Sequence, residues 1–252
     1  MRDGPQALRE SEMDQRAPQP RVRPGAAYRR EFFDAVMACR PGSLLDVGCG
    51  DGAFIRAASQ AGVRCTGLEI DRTLVAGLSE SGLDVQMGFA EKLPFAGASF
   101  DVVVLAYVAH HVEHLPRALV EAARVASRAI LILEPWYDVT LPSQRVALEY
   151  DRWSKVIDRR TGMIHNPPPT VPELLQPLAA AGFDRNVDYR QRVLLAPWAL
   201  DEVIAAGERQ LALVENDAQL AAQFATILDK ARLHGISEDG ALMMAATTAR
   251  DL

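Results

Sequence analysis

Two groups of residues have types and spacings that could do chemistry. The first is Asp46-Val47-Gly48-Cys49-Gly50-Asp51-Gly52. Gly48 and Gly50 permit positive φ and let a ligand lie close against the backbone. Asp46 offers a carboxylate to a cation or a hydroxyl, and Gly52 permits tight packing where a helix opens. Glu69, about 20 residues further on, can accept protons from both hydroxyls of a ribose. A nucleotide-like ligand is the natural fit, although a glycine loop alone is equally a tight turn between a strand and a helix. The second group is His110-His111-Val112-Glu113-His114, with Glu134, Tyr137, Asp138 and His165 downstream. A neutral imidazole near pH 7 can take a proton, so His110 and His111 are candidate catalytic bases; the alternative is that they line a pocket. Positions four apart share a helix face, so His110, His111, Glu113 and His114 invite a metal-site reading. They match HExxH only loosely and no third ligand is evident, so no metal is expected. Trp136, Tyr137 and Trp153 line an acceptor pocket or belong to the core.

These residues need a scaffold that alternates strands with helices. The spacing predicts a helix over Tyr28–Ala38, a strand over Ser43–Val47, the glycine turn, and a helix over Ala53–Ala61. A second strand is expected at Val63–Glu69, with a helix at Arg72–Glu80 that Asp71 caps. A third strand is expected at Leu83–Gly88. Phe100–Ala106 is a continuous apolar run of the kind buried on both faces of a parallel sheet. Leu115–Ser127 carries a core-facing helical stripe, and Ala129–Leu133 is a fifth strand stopped by Glu134-Pro135. Such alternation means a parallel sheet with helices on both faces, its strand C-termini gathered on one ligand-binding edge. The second half is less regular. Helices are expected near Gln144–Ile157, Val171–Ala181, Leu200–Val214 and Leu220–Leu233. Asn166–Pro169 is read as a stiff connector, Phe183–Ala196 as mostly strand, and Ala241–Ala249 as a seventh strand.

Composition bounds the function. The 252 residues carry 27 Lys+Arg against 33 Asp+Glu, a net charge of −6, which argues against a dense basic surface for nucleic acid. Three cysteines without a CxxC exclude a disulfide framework or zinc ribbon. No apolar run is long enough to span a membrane. Residues 1–25 are rich in Arg, Pro and Gln and lack the apolar stretch of a signal peptide. They are read as a disordered leader, or as a short helix around Leu8–Arg16 that folds over a ligand. The remainder, 26–252, is read as one domain with insertions at about 136–170 and 198–234, in a cytoplasmic protein that is a monomer or a homodimer.

The ordered motifs resemble the class I S-adenosylmethionine-dependent methyltransferases of the small-molecule type. Leu44–Gly52 matches that family's first motif with its GxGxG core, and Gly67–Asp71 the second. Gly88–Phe95 matches the third, and Ser99–Val104 the fourth strand, with His110-His111-Val112 following. The resemblance implies an α/β, Rossmann-like doubly wound sheet of seven strands, mostly parallel with the last antiparallel, carrying helical insertions. It also implies S-adenosylmethionine as cofactor, S-adenosylhomocysteine as product and a small-molecule methyl acceptor, oxygen or nitrogen rather than carbon. Gly48, Cys49 and Gly50 would pass along the methionine portion and Asp46 would hold its amino group. Glu69 would take the ribose hydroxyls, and Ile70 would pack on the adenine, whose edge Ala90 and Glu91 border. Ala106 would lie near the sulfonium, and Tyr28 would close over the carboxylate. Phe89 stands where the family has Asp; it would stack on the ring, or Glu91 would take the missing bond. Ala126-Ser127-Arg128 replaces a Pro-Gly-Gly turn. The readings set against transfer to a small molecule are a protein that binds the cofactor without transferring methyl, and a methyltransferase acting on RNA or protein.

Overall fold

The computed structural model describes residues 24–248. The expected leader therefore lies outside the described residues, except that Pro24 and Gly25 already open the first helix, α1 (Pro24–Ala38). The strands are β1 (Ser43–Val47), β2 (Arg64–Glu69), β3 (Val85–Met87), β4 (Phe100–Ala106), β5 (Ala126–Trp136), β6 (Asn186–Arg192) and β7 (Gly240–Thr247). They form one seven-stranded sheet in the order β3-β2-β1-β4-β5-β7-β6. The pairs among β1 to β5 are parallel, whereas β7 runs antiparallel to both β5 and β6. Chain order reverses between β1 and β4, and the C-terminal ends of these two strands open the crevice where such sheets bind ligands.

The apolar runs explain the middle of the sheet. All five residues of β1 are buried. Alternation along the strands divides them between two cores. Leu45, Val47, Val103, Leu105, Ile130 and Ile132 face α4 (Leu115–Val125) and α6 (Val171–Ala180). Leu44, Val102, Val104, Leu131 and Leu133 face Tyr28, Phe32 and Val36 of α1. The other two crossover helices are α2 (Ala53–Gln60) and α3 (Arg72–Glu80). Asp71 caps α3 as expected, accepting from the Thr73 and Leu74 amides at 2.7 and 3.1 Å.

Three elements depart from the expected bounds. The fourth helix stops at Val125, and β5 begins at Ala126 without an intervening turn. β5 also runs through Glu134-Pro135 instead of stopping there. Pro135 pairs only with Ala241 of β7, beyond the last β4 partner at Leu133, so its missing N–H costs no ladder bond on the β4 side. The sixth strand covers Asn186–Arg192 alone, and most of it is exposed at the sheet edge.

The insertion after β5 is dominated by α5 (Pro142–Arg160), longer than the Gln144–Ile157 core of its pattern. It packs against α7 (Leu200–Ala212) and α8 (Ala218–His234) in a third apolar cluster. Trp153 is core rather than pocket: it stacks on Phe224 at 4.7 Å, and its Nε1 donates to the Leu220 carbonyl at 3.0 Å. Gly207 is required there, since a Cβ would lie 2.0 Å from the Phe224 ring.

Candidate active site

The loop after β1 is built by glycine. Gly48, Gly50 and Gly52 have φ of 70°, 54° and 72°. A Cβ at Gly48 would lie 2.5 Å from Val108 Cγ2, so this glycine is forced by packing as well as by conformation. At Gly50 nothing stands within 4 Å of the Cβ position. That open face borders a cavity of about 800 Å³. Asp46, Gly48, Cys49 and Gly50 line it from the first strand and its loop, Phe54 from α2, and Ala106, Tyr107 and Leu133 from the ends of β4 and β5. The size suits one nucleoside-sized ligand.

Asp46 is 3% exposed, and among the described residues nothing donates a hydrogen bond to its carboxylate. Burial, and secondly the nearby Glu69 charge, push its pKa up to about 8. Glu69 is also buried, and each of its carboxylate oxygens accepts from the backbone. One oxygen accepts from the Gly50 amide at 2.9 Å, and the other from Ile70 and Asp71 at 2.8 and 3.0 Å. Its carboxylate therefore clamps the glycine loop to the end of β2. Ile70 and Phe89, at 59% and 60% exposed, stand at the ends of β2 and β3, outside the lining of the cavity. Ala90 is half-buried against the core beside them.

Two expected contributors have partners elsewhere in the chain. Tyr28 does not face the cavity: it is buried in the α1 core, and its hydroxyl accepts from the Leu194 amide at 2.6 Å. The α1 residues on the cavity are Arg29, Arg30, Phe32 and Phe33, which sequence reasoning missed. Arg29 lies 4.6 Å over the ring of Tyr107, itself held at a φ of 61° that non-glycine residues rarely adopt. Glu91 is committed through one oxygen. Its Oε1 accepts from the Glu113 and His114 amides at 2.9 and 3.3 Å and secures the turn before α4, which leaves Oε2 for the bond that Phe89 cannot make.

The histidines form a separate corner, one step further along the same strand ends. His110 is buried, and its Nδ1 meets Glu134 Oε2. Glu134 is 0% exposed, and its other oxygen accepts from the Val108 and Ala109 amides at 2.9 and 2.7 Å. His111 is exposed, with Nδ1 3.0 Å from the Ile164 carbonyl. His165 arrives from the insertion, with Nδ1 2.6 Å from Asp158 Oδ2. The Asn166 amide donates to the His110 carbonyl at 2.7 Å, and its side chain to Val112, which fixes the approach. Ring centroids lie 4.2 to 5.3 Å apart. Burial holds the His111 and His165 pKa values below the ordinary imidazole value. His114 is exposed at the start of α4, outside this group. Behind the cluster, buried Lys155 faces Asp151 at 3.0 Å, and burial raises Asp239 to about 6. Tyr137, beside Asp151, is held well above the ordinary phenol range, chiefly by burial.

Residues 45–131 match the family model described as a methyltransferase domain. Three curated methyltransferases are similar. The uncharacterized methyltransferase YcgJ of Bacillus subtilis is 36% identical over 89 residues, which cover 32% of this chain and 35% of YcgJ. Ajmaline N-methyltransferase of Rauvolfia serpentina is 27% identical, covering 62% and 60%. The ubiquinone/menaquinone biosynthesis C-methyltransferase UbiE of Brucella anthropi is 36% identical, covering 51% and 55%. The matches thus span between about a third and three fifths of the length of these relatives. The solved structure of YcgJ superposes with a TM-score of 0.61 at 20% identity, covering 88% of this chain and 100% of that one.

Proposed function

We propose that this chain is a class I S-adenosylmethionine-dependent methyltransferase that binds S-adenosylmethionine at the β1 loop and moves its methyl group to a small molecule. The carrying observation is the cavity beside Gly50: a loop face left open, next to a buried carboxylate to which no group among the described residues donates. An α-ammonium group fits Asp46 because a cation would repay the burial of that charge. Glu69 holds the loop in shape through Gly50 and presents the remaining lone pairs of its carboxylate to ribose hydroxyls. Ile70 and Phe89 offer the apolar faces between which a purine can pack, with Ala90 at its edge, and Phe89 stacks where the family has an acceptor. The sulfonium of the bound cofactor supplies the activated methyl group, so the protein chiefly positions the two reactants and excludes water.

Ala106, Tyr107 and Leu133 line the cavity at the ends of β4 and β5, from which the chain leads directly to His110 and to Glu134. The acceptor binds there. Glu134 orients His110, as a carboxylate does for a catalytic imidazole, so that His110 takes a proton from an acceptor hydroxyl or ammonium group. His111 and His165 complete the polar side of that pocket. Both a named N-methyltransferase and a named C-methyltransferase are among the relatives, and the nearby bases favour oxygen or nitrogen here. The acidic balance favours a small acceptor over a nucleic acid. The test is an assay with methyl-labelled cofactor against a metabolite extract, with mass spectrometry of the product. Label in a small molecule supports the reading. Label in RNA or protein, or cofactor binding with no label moved, contradicts it.

A further inference from the structure

We propose that His110, His111 and His165 form a binding site for a borderline first-row divalent metal ion, with zinc the best match. One ring nitrogen from each lies within 4.8 Å of the other two. Nδ1 is already committed in all three rings: to Glu134 in His110, to the Ile164 carbonyl in His111 and to Asp158 in His165. That leaves Nε2 with the free lone pair in every ring. A carboxylate or carbonyl behind each imidazole is the arrangement that fixes the tautomer and raises the basicity of metal-bound histidines. Three imidazoles with no fourth protein ligand make an open site, of the kind that keeps a position for water or substrate.

Charge and access agree with this. Glu134 and Asp158 stand directly behind two of the ligands, while the nearby Lys155 is already faced by Asp151 at 3.0 Å. The exposed edge of His111 gives an ion a way in. Tetrahedral zinc with bonds of about 2.1 Å places its nitrogens about 3.4 Å apart, so the rings must draw together by about 1 Å. The segment 161–170 that carries His165 has no helix or strand, and Asn166 ties it to His110 and Val112, so the movement falls to rotation of the three imidazole side chains. The nitrogen-only donor set disfavours magnesium and calcium, which prefer oxygen.

Binding of the ion is independent of methyl transfer. Its role in the reaction rests on the function proposed above: an oxygen of the acceptor would occupy the open position, and the ion would lower the pKa of that hydroxyl so that its proton passes to solvent instead of to His110.

The test uses the full chain, stripped with a chelator and titrated with Zn²⁺ by calorimetry and with Co²⁺ by visible absorption, with no methyl donor present. The expected result is one equivalent per chain and a four-coordinate cobalt spectrum without thiolate bands. Asp158→Asn should weaken binding by about 10–100-fold, and His165→Ala by more. His114→Ala, which lies outside the cluster, should bind as the parent does. Absence of stoichiometric binding overturns the proposal, as does binding that survives His165→Ala or is lost in His114→Ala. If His165→Ala does not fold, judged by the thermal midpoint of the metal-free protein, the parent's cobalt spectrum decides. A six-coordinate or thiolate-bearing spectrum then overturns the site.

Discussion

The two polar centres of this molecule are built in opposite ways. The cofactor corner is built around one contiguous strand, loop and helix, Ser43 to Gln60, clamped by Glu69, with α1 and the ends of β4 and β5 closing the cavity. The histidine corner joins residues more than 50 positions apart, through Asn166 bonded to His110 and Val112 and through His111 bonded to Ile164. The first is a property of the sheet, the second of what is inserted into it. A scaffold of this kind keeps its ligand-binding edge fixed while the partner chemistry is set by segments added beyond β5.

The difference can be broken or sharpened by experiment, with the largest effect expected in the histidine corner. His110→Ala should lower the turnover rate by about 10²–10⁴-fold while leaving cofactor affinity within a few-fold, as read by steady-state kinetics beside calorimetry. A parallel loss of cofactor affinity would merge the two corners into one site.

In the cofactor corner, Asp46→Asn should weaken S-adenosylhomocysteine binding by about 1–3 kcal/mol, the value of a charge-assisted hydrogen bond. The same substitution should raise stability at pH 8. Burial lifts the Asp46 pKa from 3.8 to about 8. The fold therefore favours the neutral carboxyl, and stability is lost as pH rises through that interval. Asparagine avoids the loss, so thermal unfolding at pH 8 should move up by an amount on the order of 1 kcal/mol. At pH 4 the two proteins should melt alike.

Gly48 and Gly50 separate packing from ligand space. Gly48→Ala should destabilise by about 1–3 kcal/mol in denaturant titration, because its Cβ meets Val108 and its φ is left-handed. Gly50→Ala carries only the conformational cost, about 1 kcal/mol, yet should reduce cofactor affinity, since its Cβ enters the cavity. Equal unfolding costs would contradict the assignment of Gly50 to ligand space.

What could be read from the sequence follows the same division. The glycine spacing, the acid at Glu69, the Asp71 cap and the apolar runs of β1 and β4 are local signals, and each lies where its pattern places it. Tyr28 and Glu91 show where locality fails. Helix periodicity put Tyr28 on the apolar face of α1, but which way that face turns depends on Leu194, more than 160 residues away. Glu91 has one oxygen claimed by the start of α4, a contact that no local pattern announces. His165, Asp158 and Lys155 carry no motif linking them to His110, because only the path of α5 and the chain after it brings them together. Pro135 misled for a related reason: a proline ends a strand only where its missing N–H would have had a partner.

The most direct measurement is calorimetry of S-adenosylhomocysteine binding to the parent and to Asp46→Asn, in buffers of different ionisation enthalpy near pH 7. At that pH the free carboxyl is largely protonated, and an ammonium group beside it would lower its pKa and expel the proton. The account predicts one equivalent bound, close to one proton released, and affinity rising by up to about 10-fold per unit between about pH 6 and pH 8. The substituted protein should bind more weakly and release no proton. Binding of equal strength in both proteins, with no proton released by either, would contradict the placement of the cofactor at Asp46.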